Sequence, residues 1–187
     1  MSNGGLGKHA ENARVIFTAA EDFRIACVVL NNTKRKRKDQ PAYRTAGPRI
    51  VLAAFTAELY LKCILLDAGA TVPNKHNLSE LFQNIPARMR RLVSINWKLG
   101  METNSVTKDA CGRKHHNLDS ALTTYGNSFK KWRYRYQQPK NNEKVSHDNL
   151  GFYELVIFLS VLRNLIITKH PEWEDDGAHF LSTFRVL

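Results

Sequence analysis

From Phe152 to Ile167 the chain runs for 16 residues of mostly Leu, Val, Ile and Phe, with charged or amide side chains only at Glu154, Arg163 and Asn164. A membrane-spanning helix needs about 20 predominantly apolar residues. The segment Leu150–Thr168 therefore reads as one helix buried at the centre of a helical domain. Its apolar density also fits two short strands, but its length favours the helix. Pro171 follows its end, and Trp173–Leu187 is expected to form a short C-terminal helix that docks through Trp173, Phe180 and Phe184.

The rest of the chain repeats the helical theme. Val15, Ile16, Ala19, Phe23, Ala26, Cys27 and Leu30 recur at three- and four-residue steps, which predicts an amphipathic helix over 13–30. Arg49–Ala68 is rich in Ala and Leu, pairs Glu58 with Lys62 at i,i+4, and has Gly69 placed to end a helix. Asn77 and Glu80 have the spacing of a capping box before Leu81, Phe82 and Ile85. Beyond Pro86, a further helix over 87–97 carries Arg88, Arg90 and Arg91 on its wet side. No period survives from Gly100 to Asn117, which reads as loop. A weaker helical pattern resumes from Leu118 to about Trp132, and Gln137–Asp148 reads as another loop. The expected fold is an all-α, up-and-down helical bundle in a single domain over 1–187. Residues 1–10 are read as flexible, and residues 33–42 as a solvated basic loop around Lys34–Lys38.

Charge narrows the function. The 28 Lys and Arg residues against 17 Asp and Glu leave a net charge of +11, and the pI is near 9.8. That is too basic for an ordinary metabolic enzyme and favours nucleic acid or another acidic partner. Cys27, Cys63 and Cys111 have no metal-ligand spacing and read as reduced thiols. Cys111 with His115 and His116 lacks the pattern of a structural zinc site, so neither metal nor cofactor is expected. The N-terminus has no secretory apolar stretch, which points to the cytoplasm.

Two clusters could carry chemistry. Arg163 and His170 are seven helical steps apart, within about 20° of one face and about 10 Å along the axis. A guanidinium can grip a phosphate and an imidazole can move a proton, the two parts that metal-free RNA cleavage needs when the 2′-hydroxyl is the nucleophile. The plain alternative is a paired arginine and a histidine at a helix C-terminus. In the second cluster, Lys130, Lys131, Arg133 and Arg135 alternate with Phe129, Trp132, Tyr134 and Tyr136. This suits phosphates and stacked bases, although the rings also have the spacing of a packed helix face. A buried Glu58 would need a cation, for which Arg133 is one candidate.

Together, Ala57-Glu-Leu-Tyr-Leu-Lys62, His76-Asn-Leu-Ser-Glu-Leu-Phe82, Trp132-Arg-Tyr134 and Arg163-Asn164 with His170 resemble the HEPN superfamily of small helical proteins. The resemblance covers roughly residues 10 to 175 and has six residues between Arg163 and His170. It implies a homodimer with a metal-independent ribonuclease site at its interface, often in toxin or phage-defence systems with an antitoxin or other protein partner. In that reading Arg163 stabilises the scissile phosphate, His170 is the acid or base, and Asn164 orients them. Glu58, Lys62 and Tyr134 match scaffold positions. Many relatives are non-catalytic modules that bind RNA, nucleotides or proteins, which is the leading rival. A DNA-binding regulator is the third reading, without a helix-turn-helix to support it.

Overall fold

The computed structural model describes residues 4–32, 46–108, 117–126 and 149–176, and all statements about the structure concern these. They form six α-helices and a closing 3-10 turn: α1 (Gly4–Asn32), α2 (Ala46–Asp67), α3 (Leu78–Asn84), α4 (Ala87–Thr103), α5 (Leu118–Gly126), α6 (Asn149–Lys169) and Pro171–Asp176. No strand occurs among the described residues. The segment with the ambiguous period is therefore a single helix, as its length favoured. None of the described helices is long and apolar enough to cross a membrane.

α2 and α6 occupy the middle of the fold. α2 packs against α1, α3 and α6, while α6 also meets α4, α5 and the 3-10 turn. The α1–α2 pairing is the most extensive, and its composition accounts for it. Ala13, Ala20, Ala53, Ala54 and Ala57 are buried there, and such small side chains let two helices approach closely along their length. Phe23 meets Phe55 edge-on across this seam, with ring centroids 4.7 Å apart. Farther in, Phe158 of α6 meets Phe82 of α3 at 6.1 Å. Phe17, Tyr60, Leu61, Leu81, Met101 and Leu162 complete the core, each fully buried apolar side chain contributing about 1.5–3 kcal/mol of transfer free energy.

The helix ends follow their local chemistry. After α2 the chain turns at Gly69 with φ 72°, a left-handed conformation that glycine adopts without a Cβ penalty. The amide of Ala70 donates to Leu65 O and that of Gly69 to Leu66 O, both at 2.9 Å, which is the Schellman pattern. Asn77 caps α3 by accepting from the amides of Ser79 and Glu80.

Several boundaries differ from the sequence reading. α1 begins at Gly4, well before Ala13. α4 continues through Gly100 to Thr103, where the lost period predicts a loop; close packing against α6 carries the helix past a residue of poor helix propensity. The closing element is a 3-10 turn over Pro171–Asp176, with Trp173 buried in it. The basic loop around Lys34–Lys38, the loop over 137–148, and Phe180 and Phe184 lie outside the described residues.

Candidate functional site

The site is built on Glu21. It falls one helical turn after Phe17, on the apolar stripe of α1, and is completely buried. A carboxylate there must be paired or neutral, and three partners reach it. Arg24 donates from Nε to both carboxylate oxygens at 3.1 Å and from Nη2 at 2.8 Å. Tyr60 of α2 donates its hydroxyl to Oε1. Arg163 of α6 donates its Nε to both oxygens at 3.1 Å. Burial alone would raise the Glu21 pKa, but the hydrogen bonds from Arg24 and Tyr60 and the charges of Arg24 and Arg163 bring it below the ordinary carboxylate value. Burial and the Glu21 charge push the Tyr60 hydroxyl far above its usual range, so Tyr60 is the donor.

Arg163 thus enters this network through Nε. Its two Nη nitrogens have no hydrogen-bond partner among the described residues, and the side chain lines a cleft of about 330 Å³ between α1 and α6. Arg24, Asn31, Phe152, Tyr153 and Asn164 also line it. Two guanidinium groups share one carboxylate, so the Asn164 end of the cleft keeps a surplus positive charge. A flat fork of donors beside an amide is suited to an oxyanion.

His170 sits in a different cluster. Its amide still donates to Ile166 O at 2.9 Å, which makes it the last rung of the α6 ladder. Its Nε2 is 3.0 Å from Asp67 Oδ1 at the end of α2, and its Nδ1 is 3.4 Å from Glu172. The imidazole stacks on Trp173, with centroids 4.0 Å apart and planes 6° from parallel, and Trp173 in turn packs on Phe17 of α1 at 5.7 Å. Arg163 and His170 therefore both turn toward the α1–α2 side of α6, as their spacing implies. They are held by separate carboxylates, and His170 is not among the residues lining the cleft.

The other sequence candidates divide in two. Glu58 is buried, and its Oε1 meets Lys62 Nζ at 2.8 Å and His76 Nδ1 at 3.0 Å. Among the described residues a cation of its own helix thus faces it, and the bond to His76 ties the segment after Gly69 to α2. Lys130, Lys131, Arg133, Tyr134 and Arg135, along with Cys111, His115 and His116, lie outside the described residues. Among those described, no group of three His, Cys, Asp or Glu side chains is placed to hold a metal ion.

Sequence reasoning missed Glu21, Arg24, Tyr60 and Asp67. For Glu21 a signal existed: a carboxylate four residues after Phe17, in register with Ala13, Ala20 and Cys27, interrupts a buried stripe.

A larger, mainly apolar groove of about 630 Å³ opens between α4 and α6, lined by Leu92, Leu99, Ile157, Val161, Asn164 and Thr168 among others. Asn164 borders both this groove and the cleft. In comparisons with known proteins, no protein-family model, no curated protein and no solved structure matches the chain.

Proposed function

We propose that this chain is a HEPN-like, up-and-down helical protein acting on RNA, and that it is a metal-independent endoribonuclease. The observation that carries the reading is the anchoring of Arg163: Glu21 holds it by Nε alone, with both Nη nitrogens left for a phosphate in a cleft it shares with Arg24 and Asn164. Such a preorganised fork stabilises charge that builds on a phosphorane without reorganising during the reaction. His170, fixed by Asp67, takes the proton of the 2′-hydroxyl or returns one to the departing 5′-oxygen, and a 2′,3′-cyclic phosphate remains. Asn164 orients the phosphate beside Arg163. The net charge of +11 supplies long-range attraction to the polyanion.

A homodimer through α4 and α6 belongs to this reading. Leu92, Ile95 and Leu99 are exposed beside the larger groove, and a partner seated there would stand next to Asn164, which borders both the groove and the Arg163 cleft. A toxin or phage-defence role, with an antitoxin or similar partner, completes the proposal.

One observation favours the second reading, a non-catalytic module that binds RNA, a nucleotide or a protein. His170 is stacked on Trp173 and bonded to Asp67, away from the residues that line the cleft. Incubation of the purified protein with single-stranded RNA in EDTA separates the two. The nuclease reading expects fragments ending in cyclic phosphate, lost in His170→Ala and in Arg163→Ala with the helical circular dichroism retained. Intact RNA that is nevertheless retarded in gel shifts would establish the binding module. Cleavage that survives the double substitution would reject the site.

A further inference from the structure

Arg49 stands in the first turn of α2 and is only 5% exposed. A buried cation is costly unless an anion accompanies it, and the first turn of a helix is where its dipole opposes positive charge. No carboxylate among the described residues pairs with it. Nη1 donates to Asn31 Oδ1 at 2.5 Å, and the guanidinium carbon lies 4.6 Å from the centre of the Phe152 ring. Its Nε is buried with no hydrogen-bond partner. Among the described residues the ionisable groups that act on it are the Cys27 thiol and the Tyr153 phenol, and burial raises the thiol pKa, which keeps it uncharged. An amide and a ring face reduce the cost of the charge but do not neutralise it.

The place of this charge, unpaired among the described residues, matters. Asn31 and Phe152, the two residues that hold the guanidinium, both line the α1–α6 cleft, as do Cys27 and Tyr153. Along α1, Arg24 and Asn31 are separated by about 10 Å of helical rise. Arg24 and Arg163 stand beside Asn164 at one end of the cleft, and Arg49, which does not itself line the cleft, lies directly behind the lining residues Asn31 and Phe152.

We propose that Arg49 is a second anion-binding position of this cleft, taking one phosphoryl group while Arg24 and Arg163 take another, so that the cleft seats a ligand with two phosphoryl groups. The assignment of that ligand as a short stretch of RNA backbone rests on the function proposed above; the anion position at Arg49 does not. On this account the counter-charge that no described residue gives Arg49 is supplied by the ligand. A buried cation without a carboxylate partner among the described residues is then accounted for as a recognition element.

The test follows the Arg49 Nε–H resonance by proton–nitrogen NMR in the unmodified protein, and measures affinity by calorimetry. The probes are inorganic phosphate, uridine 5′-monophosphate, and a 5′-phosphorylated uridine dinucleotide with 2′-O-methyl groups that prevent cleavage. Saturation with the dinucleotide should shift the Arg49 Nε–H signal. Arg49→Met should weaken the dinucleotide about tenfold, the equivalent of ~1.4 kcal/mol, and change the monophosphate less. The same substitution should leave the melting temperature of the free protein unchanged or raised, whereas a purely structural arginine would lower it.

An Arg49 resonance unmoved by dinucleotide and phosphate alike overturns the proposal, and so does wild-type affinity in Arg49→Met. If Arg163→Met loses dinucleotide binding but Arg49→Met does not, this inference falls and the RNA reading stands. If phosphate moves the Arg49 signal but neither nucleotide binds, the anion position is confirmed and the RNA reading falls.

Discussion

Gly100 of α4 and Ile157 of α6 meet so closely that a Cβ on residue 100 would stand 2.7 Å from the Ile157 Cγ2. The neighbour cannot easily move. Ile157 is β-branched and helical, and such a side chain has essentially one χ1 rotamer. Gly100→Ala should thus lower stability although alanine is the better helix former: overpacking costs about 1–3 kcal/mol, against a propensity gain of at most about 1 kcal/mol. Urea unfolding should show a lower midpoint for Gly100→Ala. Adding Ile157→Ala, which removes the obstructing methyl, should make the pair less destabilised than the sum of the single changes. Additive effects would show that the helices are not in contact here.

Glu21 should govern acid stability. Its carboxylate is ionised in the folded protein below the ordinary value of 4.5, because its arginine and tyrosine partners outweigh burial. A lowered folded pKa contributes stability that is fully present above the unfolded value and is lost as pH falls through the folded one. The wild-type melting temperature should therefore drop as pH falls below about 4.5, the unfolded reference. Glu21→Gln should start lower at neutral pH and show a shallower acid limb. Removing one partner from a buried ion network costs about 3 kcal/mol, whereas Tyr60→Phe, which deletes one donor, should cost about 1 kcal/mol. Parallel acid limbs in wild type and Glu21→Gln would show that the carboxylate is not the titrating group.

How far the sequence discloses this arrangement depends on the range of each interaction. α2 was legible from its Ala and Leu content, the Glu58–Lys62 spacing and Gly69, all local signals, and the observed helix Ala46–Asp67 follows them closely. α4 was legible only to Trp97. Gly100 has poor local propensity, and its reason to be helical is the distant Ile157. The candidate site divides in the same way. Arg163 and His170 could be placed on one face of a helix from their spacing alone. That Glu21, 142 residues away, would claim the Arg163 Nε, and that Asp67 would claim His170, depends on how α1 and α2 dock. No pattern within α6 encodes that docking.

The cap of α3 offers a test at the scale of one hydrogen bond. Asn77 and Glu80 have the spacing of a capping box, but only half of it forms. Asn77 Oδ1 accepts from the Ser79 amide at 3.0 Å and the Glu80 amide at 3.4 Å, while the Glu80 carboxylate pairs with exposed Lys75 instead. Asn77→Ala should therefore cost about 1 kcal/mol, the usual loss of an N-cap. Glu80→Gln should change stability by less than about 0.5 kcal/mol, because exposed ion pairs contribute little. Chemical denaturation of both variants measures the difference. Equal losses would mean that Glu80 closes the box in solution.

Thiol reactivity reports on the α1–α2 seam and the core of α2. Burial, assisted by the Asp67 carboxylate and opposed by Lys169, pushes the Cys63 thiol up to about 12, and burial raises Cys27 as well. Because the thiolate is the nucleophile, both should resist alkylation far longer than an ordinary cysteine, whose pKa is about 8.5. Treatment of the native protein with iodoacetamide at pH 8, followed by site-resolved mass spectrometry, should find Cys27 and Cys63 unmodified, and both should react once urea unfolds the chain. Cys27 should become reactive first as urea is raised towards the midpoint. Its Sγ hydrogen bond to Arg49 O, at 3.6 Å, lies near the start of α2, and a helix end opens at lower free energy than the core position of Cys63. Labelling of Cys63 at the unfolded rate in native buffer would show that α2 is not packed as described.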